Sequence, residues 1–221
     1  LNLYFEKLKK YDSKIAIIYK GVSYSYNDLF NEISNMEILV RDQIKKNQVV
    51  GILSDYSFKS ISLFFALFKN NNIIVPITSE IETEITDRIE EGYIDYVIKL
   101  TDNNIIINNS NKQNENHALI SQLIEEDKPG LILFSSGSTG KPKTMLHDLN
   151  NMLSYYLDKN EKYQIMLVFL MFDHIGGLNT LFNSLAMGST MVIPENRDAK
   201  YICKLIEQHK IQILPSSPTF L

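Results

Sequence analysis

The chain has 221 residues, of which 44% are hydrophobic and 22% are charged, and its formal net charge is −4. This length and composition predict a globular protein of one large domain or two small ones, not a disordered chain. The small negative charge excludes the basic footprint of a nucleic-acid-binding protein, and no apolar run reaches the ~18 residues of a membrane span. Cys203 is the one cysteine and cannot form an internal disulfide, so the composition fits a reducing cytoplasm.

Short apolar runs alternate with amphipathic stretches along the chain. The runs are apolar on both faces, as is typical of buried parallel strands. The predicted strands are Val49–Leu53, Ile73–Ile77, 96–98, 131–134, 164–170, Thr190–Ile193 and 211–214. The predicted helices are 27–45, 57–69, 80–91, 149–158, 177–187 and 197–209. This alternation predicts an α/β fold of layered, mostly parallel sheets that are flanked by helices.

The stretch 27–45 carries the clearest helical pattern. Its apolar residues recur every three or four positions on one face, at Leu29, Ile33, Met36, Val40 and Ile44. Ser25 and Asp28 at its start have the spacing of a capping box. The sequence therefore predicts both the buried face of this helix and its first residues.

The stretch 103–116 breaks the alternating pattern. Half of its residues are asparagine, and they surround the apolar residues 105–107. Asparagine favours turns and loops, so we interpret this stretch as a loop around a short edge strand. It is also a candidate seam between two subdomains, 1–116 and 117–221.

The most informative segment is 131–143, which reads LILFSSGSTGKPK. An apolar run meets a turn of small hydroxyl and glycine residues, and Lys141 and Lys143 then flank Pro142. Small residues let a backbone approach a bulky anion, free N–H groups and hydroxyls donate to phosphate oxygens, and lysines neutralise the charge. The segment therefore predicts a strand that ends in a polyphosphate-binding loop.

Three other interpretations of this loop compete with a phosphate-binding role. A plain Gly/Ser linker would need neither the apolar strand before it nor the lysines after it. A Walker loop is excluded, because Ser135 stands where its first glycine is required and Pro142 stands where Ser or Thr must follow the lysine. A serine nucleophile of an amidase-like acyl hydrolase, at Ser136 or Ser138, stays open, although the GxSxG nucleophile elbow is absent.

Residues 134–143, FSSGSTGKPK, closely resemble the phosphate-loop signature of the adenylate-forming, AMP-binding enzymes. That superfamily includes acyl-CoA synthetases, luciferases and the adenylation domains of peptide synthetases. Thr144 departs from the pattern, because the next position is usually small. The segments 14–29 and 49–78 also resemble the opening elements of the family, so the resemblance covers the whole chain. It implies the N-terminal part of the large domain of an acyl-CoA synthetase-like ligase.

The resemblance also implies roles for the loop. The residues that would hold the phosphates of ATP are Ser135, Ser136, Gly137, Ser138, Thr139, Gly140, Lys141 and Lys143. Lys143 would be catalytic by meeting the charge that grows on departing pyrophosphate, and Thr139 would assist it and approach Mg²⁺. The implied reaction converts a carboxylic acid and ATP to an acyl adenylate and pyrophosphate, and then forms a thioester. ATP, Mg²⁺ and coenzyme A are the implied cofactors.

A second candidate site lies at 172–177, which reads FDHIGG. It follows a predicted strand and precedes a helix, where ligands bind in open α/β sheets. It resembles the acyl-pocket motif of the family, which implies that His174, Gly176 and Gly177 border the carboxylic acid, with His174 next to its carboxylate or next to the nucleotide. Without the resemblance, a histidine satisfied by a neighbouring loop carbonyl would be the simpler interpretation.

Other polar residues have weaker signals. Asp173 could be a metal ligand or a base, but an aspartate at this position more often caps the next helix. Asp148 is predicted to start the helix at Leu149. The histidines and Cys203 have no zinc-binding spacing. The segment 211–220 resembles the strand and proline-bearing turn that border the acyl pocket in the family.

The two ends of the chain suggest a fragment of a longer protein. It begins at Leu1 rather than Met, and it stops at Leu221 without a polar tail. The adenine- and ribose-binding motifs of the family, and its small C-terminal domain, would lie beyond residue 221, so the isolated chain is expected to be inactive. The expected partners are ATP, a carboxylic acid and the missing part of the same enzyme. A non-catalytic relic of the fold that only binds a partner is the other class left open.

Overall fold

The computed structural model describes residues 2–101, 104–112, 115–135 and 143–216. In chain order its elements are α1 (Asn2–Lys9), β1 (Ile15–Tyr19), β2 (Val22–Ser25), α2 (Tyr26–Gln43), β3 (Val49–Leu53), α3 (Phe58–Lys69), β4 (Ile73–Ile77), α4 (Glu82–Glu91), β5 (Tyr96–Leu100), β6 (Ile105–Asn109), α5 (Ala118–Glu125), β7 (Gly130–Ser135), β8 (Lys143–Asp148), α6 (Leu149–Ser154), β9 (Ile165–Leu167), α7 (Ile175–Ala186), β10 (Thr190–Ile193) and α8 (Ala199–His209). They form two compact units, of which the first comprises Leu1–Asn31, Tyr56–Phe58 and Leu153–Leu221 and the second Glu32–Asp55 and Lys59–Met152.

The second unit contains a six-stranded sheet in the order β6-β5-β3-β4-β7-β8. Strands β5, β3, β4 and β7 run parallel, while β6 and β8 pair antiparallel at the two edges. All five residues of β4 are buried, because helices cover both faces of a parallel sheet. Its core consists of β-branched residues that suit a pleated, buried surface, such as Val49, Ile73, Val75 and Ile132.

The first unit contains a four-stranded sheet in the order β2-β1-β10-β9. Strands β1, β10 and β9 are parallel, and β2 pairs antiparallel with β1. Helix α8 covers part of this sheet by burying Ile202 and Leu205 against Leu167 and Val192. The charged face of α8 is left to solvent, as expected of an amphipathic helix.

Three buried tyrosines hold the C-terminal end of α7 in the first unit. Their hydroxyls donate to backbone carbonyls at or just beyond that end: Tyr4 to Phe182 at 2.7 Å, Tyr11 to Ala186 at 2.7 Å and Tyr26 to Ser189 at 3.0 Å. The Ala186 carbonyl is among the last four of the helix, which have no partner within it, so the bond from Tyr11 satisfies a group that the helix leaves unpaired. We call these three residues the tyrosine clamp.

Gly188 lies in the turn after α7, at a position where both the backbone conformation and the space require glycine. Its φ is +71°, a left-handed conformation that glycine adopts without strain. A Cβ atom at this position would also lie 2.6 Å from Cε1 of Tyr11. The glycine therefore allows both the turn into β10 and the close approach of the clamp.

The predicted α/β architecture of mostly parallel sheets flanked by helices is confirmed. The predicted bounds of β3, β4 and β10 agree with the observed bounds. The capping box of α2 is also present, since the Ser25 N–H donates to Asp28 Oδ2 at 2.7 Å and the Asp28 N–H donates to Ser25 Oγ at 3.1 Å.

Several elements differ from the sequence prediction. Helices α1 and α5 and strand β8 were not predicted, and the strand predicted at 164–170 is only Ile165–Leu167. The strand predicted at 211–214 is a single bridge between Ile213 and Met166. The predicted seam at 103–116 lies inside the second unit, because Ile105–Asn109 adds an edge strand to its sheet. The first unit instead joins residues from both halves of the chain.

Candidate functional site

The predicted phosphate loop is the connection between β7 and β8. The two strands pair in register from Gly130 opposite Asp148 to Ser135 opposite Lys143. Strand β7 is held in the sheet by its parallel pairing with β4 and is largely buried, whereas β8 is an edge strand of the described sheet. The described part of the hairpin therefore ends, at Ser135 and Lys143, on the carboxyl edge of the parallel strands, where ligands bind in open α/β sheets.

Ser135 and Lys143 are the two predicted site residues of this loop that the structure describes. They are cross-strand partners at the end of the hairpin, where Ser135 is half-buried and Lys143 is exposed. A hydroxyl and an ammonium group therefore stand together at the base of the loop. The other predicted residues lie outside the described residues: Ser136, Gly137, Ser138, Thr139, Gly140 and Lys141.

His174, Gly176 and Gly177 come together at the start of α7, in the first unit. His174 is exposed and is the N-cap of α7, because its Nδ1 accepts a hydrogen bond from the Gly176 N–H at 3.0 Å. The partner of this ring nitrogen is therefore a helix N–H and not a loop carbonyl. Since Nδ1 accepts this bond, the proton of the neutral ring is on Nε2, which can donate to a ligand.

Gly177 has a structural role in this segment. A Cβ atom here would lie 2.1 Å from the carbonyl oxygen of Met171, a distance that no packing can accommodate. At Gly176 the nearest atom would be Cδ1 of Leu170 at 2.8 Å, the end of a flexible side chain. The chain therefore requires the second glycine for its own backbone path, independently of any ligand.

The two aspartates singled out in the sequence have different outcomes. Asp148 does start α6 as predicted, since its Oδ1 accepts from the Asn151 N–H at 3.0 Å. The interpretation of Asp173 as the cap of the next helix is wrong, because the neighbouring His174 takes that position. A sequence pattern favours aspartate over histidine as a cap, and only the backbone geometry decides which of two adjacent residues faces the free N–H groups.

Among the described residues, no group of three or more His, Cys, Asp or Glu side chains is arranged to hold a metal ion. Thr139, the predicted approach to Mg²⁺, lies outside these residues. The helices in the described ranges are all too short or too polar to cross a membrane.

The sequence analysis missed a crevice of about 470 Å³ in the second unit. It opens at the carboxyl ends of β3, β4 and β5 and is lined by Ser54, Asp55, Thr78 and Lys99, among others. The sequence does carry a signal for this crevice, because these polar residues directly follow predicted strands, where ligands bind in open α/β sheets. A crevice that contains hydroxyl, carboxylate and ammonium groups can bind a polar molecule.

The chain as a whole is similar to one family of known proteins. The family model described as AMP-binding enzyme matches residues 4–221. The chain is 23% identical to 2-succinylbenzoate–CoA ligase of Bacillus pumilus, over 94% of the chain and 46% of that protein. It is also 23% identical to gramicidin S synthase 2 of Brevibacillus brevis, over 90% of the chain and 5% of that protein. The chain thus spans less than half the length of each of these relatives.

Solved structures share the fold of the chain. The N-terminal subdomain of NpsA from Klebsiella oxytoca, in complex with 3-hydroxybenzoyl-AMSN, superposes with a TM-score of 0.78 at 20% identity, covering 96% of this chain and 58% of that one. The o-succinylbenzoate CoA synthetase MenE of Bacillus subtilis, in complex with the acyl-adenylate intermediate OSB-AMP, gives a TM-score of 0.74 at 18% identity, covering 99% and 62%.

Proposed function

Because the chain belongs to the AMP-binding enzyme family, we propose that it is the N-terminal part of an ATP-dependent ligase that activates a carboxylic acid. A carboxylate oxygen attacks the α-phosphorus of ATP, the bond from this phosphorus to the pyrophosphate oxygen breaks, and an acyl adenylate is formed. The observation that carries this proposal is the β7–β8 hairpin, which places Ser135 and Lys143 on either side of the loop 136–142.

The hairpin would hold the phosphate side of the reaction. The reaction brings two anions together, so the site must neutralise the phosphate charge and align the carboxylate. Lys143 is an exposed cation on an edge strand and can reach a phosphate. Its contribution is largest in the transition state, when charge grows on the departing pyrophosphate. Mg²⁺ would arrive with the nucleotide, because this ion keeps several waters and is bound largely through substrate phosphates.

The start of α7 would contact the carboxylic acid. The Nε2–H of His174 is a donor on an exposed ring whose orientation the bond to the Gly176 N–H determines. A donor held in this way can bind a carboxylate oxygen without a further loss of rotational freedom. The tyrosine clamp holds the other end of the same helix, which supports a constant position for His174.

The acyl adenylate would then be attacked by a thiol, and AMP would leave. We propose the thiol of coenzyme A as the acceptor. The relatives include a CoA ligase and a peptide synthetase, so a thiol on a carrier protein is the second candidate. Thioester formation with free coenzyme A, measured with a purified adenylate, separates the two.

The proposed function is tested by carboxylate-dependent exchange of labelled pyrophosphate into ATP, in the full-length protein that contains this chain. Lys143→Ala is expected to lower the exchange rate strongly while the apparent KM for the acid changes little. Lys204→Ala is the matched control, because Lys204 is an exposed lysine on α8. Unchanged exchange in Lys143→Ala would remove this lysine from the reaction, and covalent labelling by a fluorophosphonate would indicate a serine hydrolase instead.

A further inference from the structure

The phosphate-binding hairpin is attached to one turn of a neighbouring helix. Phe134 on β7 and Thr144 on β8 are cross-strand partners one step below the last pair of the hairpin. Cross-strand partners point to the same face of a sheet. Both side chains therefore face the same side, and the C-terminal turn of α4 lies there.

Both members of this pair contact that turn. The Thr144 hydroxyl donates to the backbone carbonyl of Glu91, the last residue of α4, at 3.0 Å. The guanidinium group of Arg88 lies 5.6 Å from the centroid of the Phe134 ring, within the range of a cation–π interaction. Gly92 follows the helix, and a Cβ atom there would be only 3.2 Å from Cζ of Phe134.

The Thr144 bond lies at the edge of an open cavity. A cavity of about 250 Å³ opens beside the hairpin and is lined by Thr144, Glu91, Tyr93, Ile132 and Leu146, among others. The carbonyl of Glu91 belongs to the last turn of α4. The threonine hydroxyl therefore joins this turn of α4 to β8.

We propose that Thr144 is a positioning residue that anchors the base of the phosphate loop to α4 and so determines where Lys143 meets the phosphates; this rests on the proposed function. Thr144 directly follows Lys143 on an edge strand, and an edge strand has neighbours on one side only. A lysine that is displaced on such a strand loses alignment with charge that develops in the transition state. The hydroxyl therefore explains the departure of this chain from the small residue usual at this position.

The test compares Thr144→Val, which keeps the branched shape and removes the donor, with Thr144→Ser, which keeps the donor. In the full-length protein, Thr144→Val is expected to lower the rate of pyrophosphate exchange roughly three- to tenfold, the effect of one lost hydrogen bond. The apparent KM for the acid stays the same, and Thr144→Ser restores the rate. Hydrogen exchange of the β8 amides accelerates in Thr144→Val only.

Thr86→Val is the matched control. The Thr86 hydroxyl makes the same type of bond, to the carbonyl of Glu82 at 2.9 Å, near the other end of α4. The Thr86→Val variant should change neither the rate of pyrophosphate exchange nor the hydrogen exchange of the β8 amides. Equal β8 hydrogen exchange in Thr144→Val and wild type would overturn the anchor, and faster hydrogen exchange with an unchanged reaction rate would overturn the positioning role. A wild-type protein that lacks pyrophosphate exchange would overturn the proposed function instead, and the anchor would still be judged by the β8 amides.

Discussion

His174 has a role in folding as well as a proposed role in binding. Its Nδ1 caps α7, while its Nε2–H is the group proposed to contact the acid. Substitution by alanine would remove both groups, so alanine alone cannot separate the two roles. Asparagine is a good N-cap and replaces the acceptor, but it does not place an N–H where the imidazole does.

We expect His174→Asn to retain the stability of the wild type and to raise the apparent KM for the carboxylic acid. His174→Ala should in addition lose about 0.5–2 kcal/mol of stability, because a helix N–H is left without its partner. Urea unfolding measures the stability of each variant. Pyrophosphate exchange at varied acid concentration measures the apparent KM. A wild-type KM in His174→Asn would show that the histidine only caps the helix.

Gly177 and Gly176 differ in what a methyl group would meet. Gly177→Ala places a Cβ atom against the Met171 carbonyl and should destabilise the first unit by about 1–3 kcal/mol, the usual effect of overpacking, or prevent its folding. Gly176→Ala, which meets only side-chain atoms, of Leu170 at 2.8 Å and of His174 at 3.2 Å, is the matched control and should cost less. Urea midpoints of both variants compare them directly, and equal midpoints would contradict this explanation.

At the scale of elements, side chains hold both ends of α7. His174 caps the first turn, and the tyrosine clamp occupies carbonyls at the last turn. Each clamp hydroxyl must be protonated to donate its bond. Burial raises the pKa of Tyr11 to about 12, with a further contribution from the charge of Glu161. Burial also raises the pKa values of Tyr4 and Tyr26 well above their ordinary value.

The raised pKa values predict a loss of stability at alkaline pH. In the unfolded chain a tyrosine loses its proton near pH ~10, whereas folded Tyr11 keeps it to about pH 12. The stabilisation is therefore complete below pH ~10 and is lost as the pH rises from there through the folded pKa. Urea midpoints measured between pH ~8 and ~11.5 should fall above pH ~10. Tyr11→Phe should weaken this dependence, while Tyr155→Phe, at a ring that is 79% exposed, should leave it unchanged.

At the scale of the whole molecule, the two candidate sites belong to different units. Ser135 and Lys143 lie in the second unit, and His174 lies in the first. Each unit has its own sheet and its own buried core. A protein with two such cores can fold without further segments, but catalysis requires groups on every side of the nucleotide at once.

We therefore expect the isolated 221-residue chain to fold but to form no acyl adenylate. It should bind pyrophosphate weakly and should not distinguish ATP from GTP. Isothermal titration with both nucleotides, together with trapping of adenylate as the hydroxamate, tests this expectation. Acid-dependent hydroxamate from this chain alone would show that it already contains a complete site.

The sequence predicted most of what depends on local pattern. Apolar runs located β3, β4 and β10, and the spacing of Ser25 and Asp28 predicted the capping of α2. It failed for β8, because four of the six residues of Lys143–Asp148 are polar and the segment becomes a strand only by pairing with β7. It also failed for the first unit, whose sheet pairs β1 with β10 from the opposite end of the chain.

The sequence by itself determined the family and the α/β class, and it predicts the residues of the phosphate loop, since each depends on residue types at short spacing. Only the tertiary structure decided that Ser135 and Lys143 are opposite one another, that His174 caps α7, and that Thr144 is bonded to α4. These features depend on pairs of atoms brought together by folding. A hydrogen bond needs a donor and an acceptor within about 3 Å of each other, and spacing along the chain does not specify that distance.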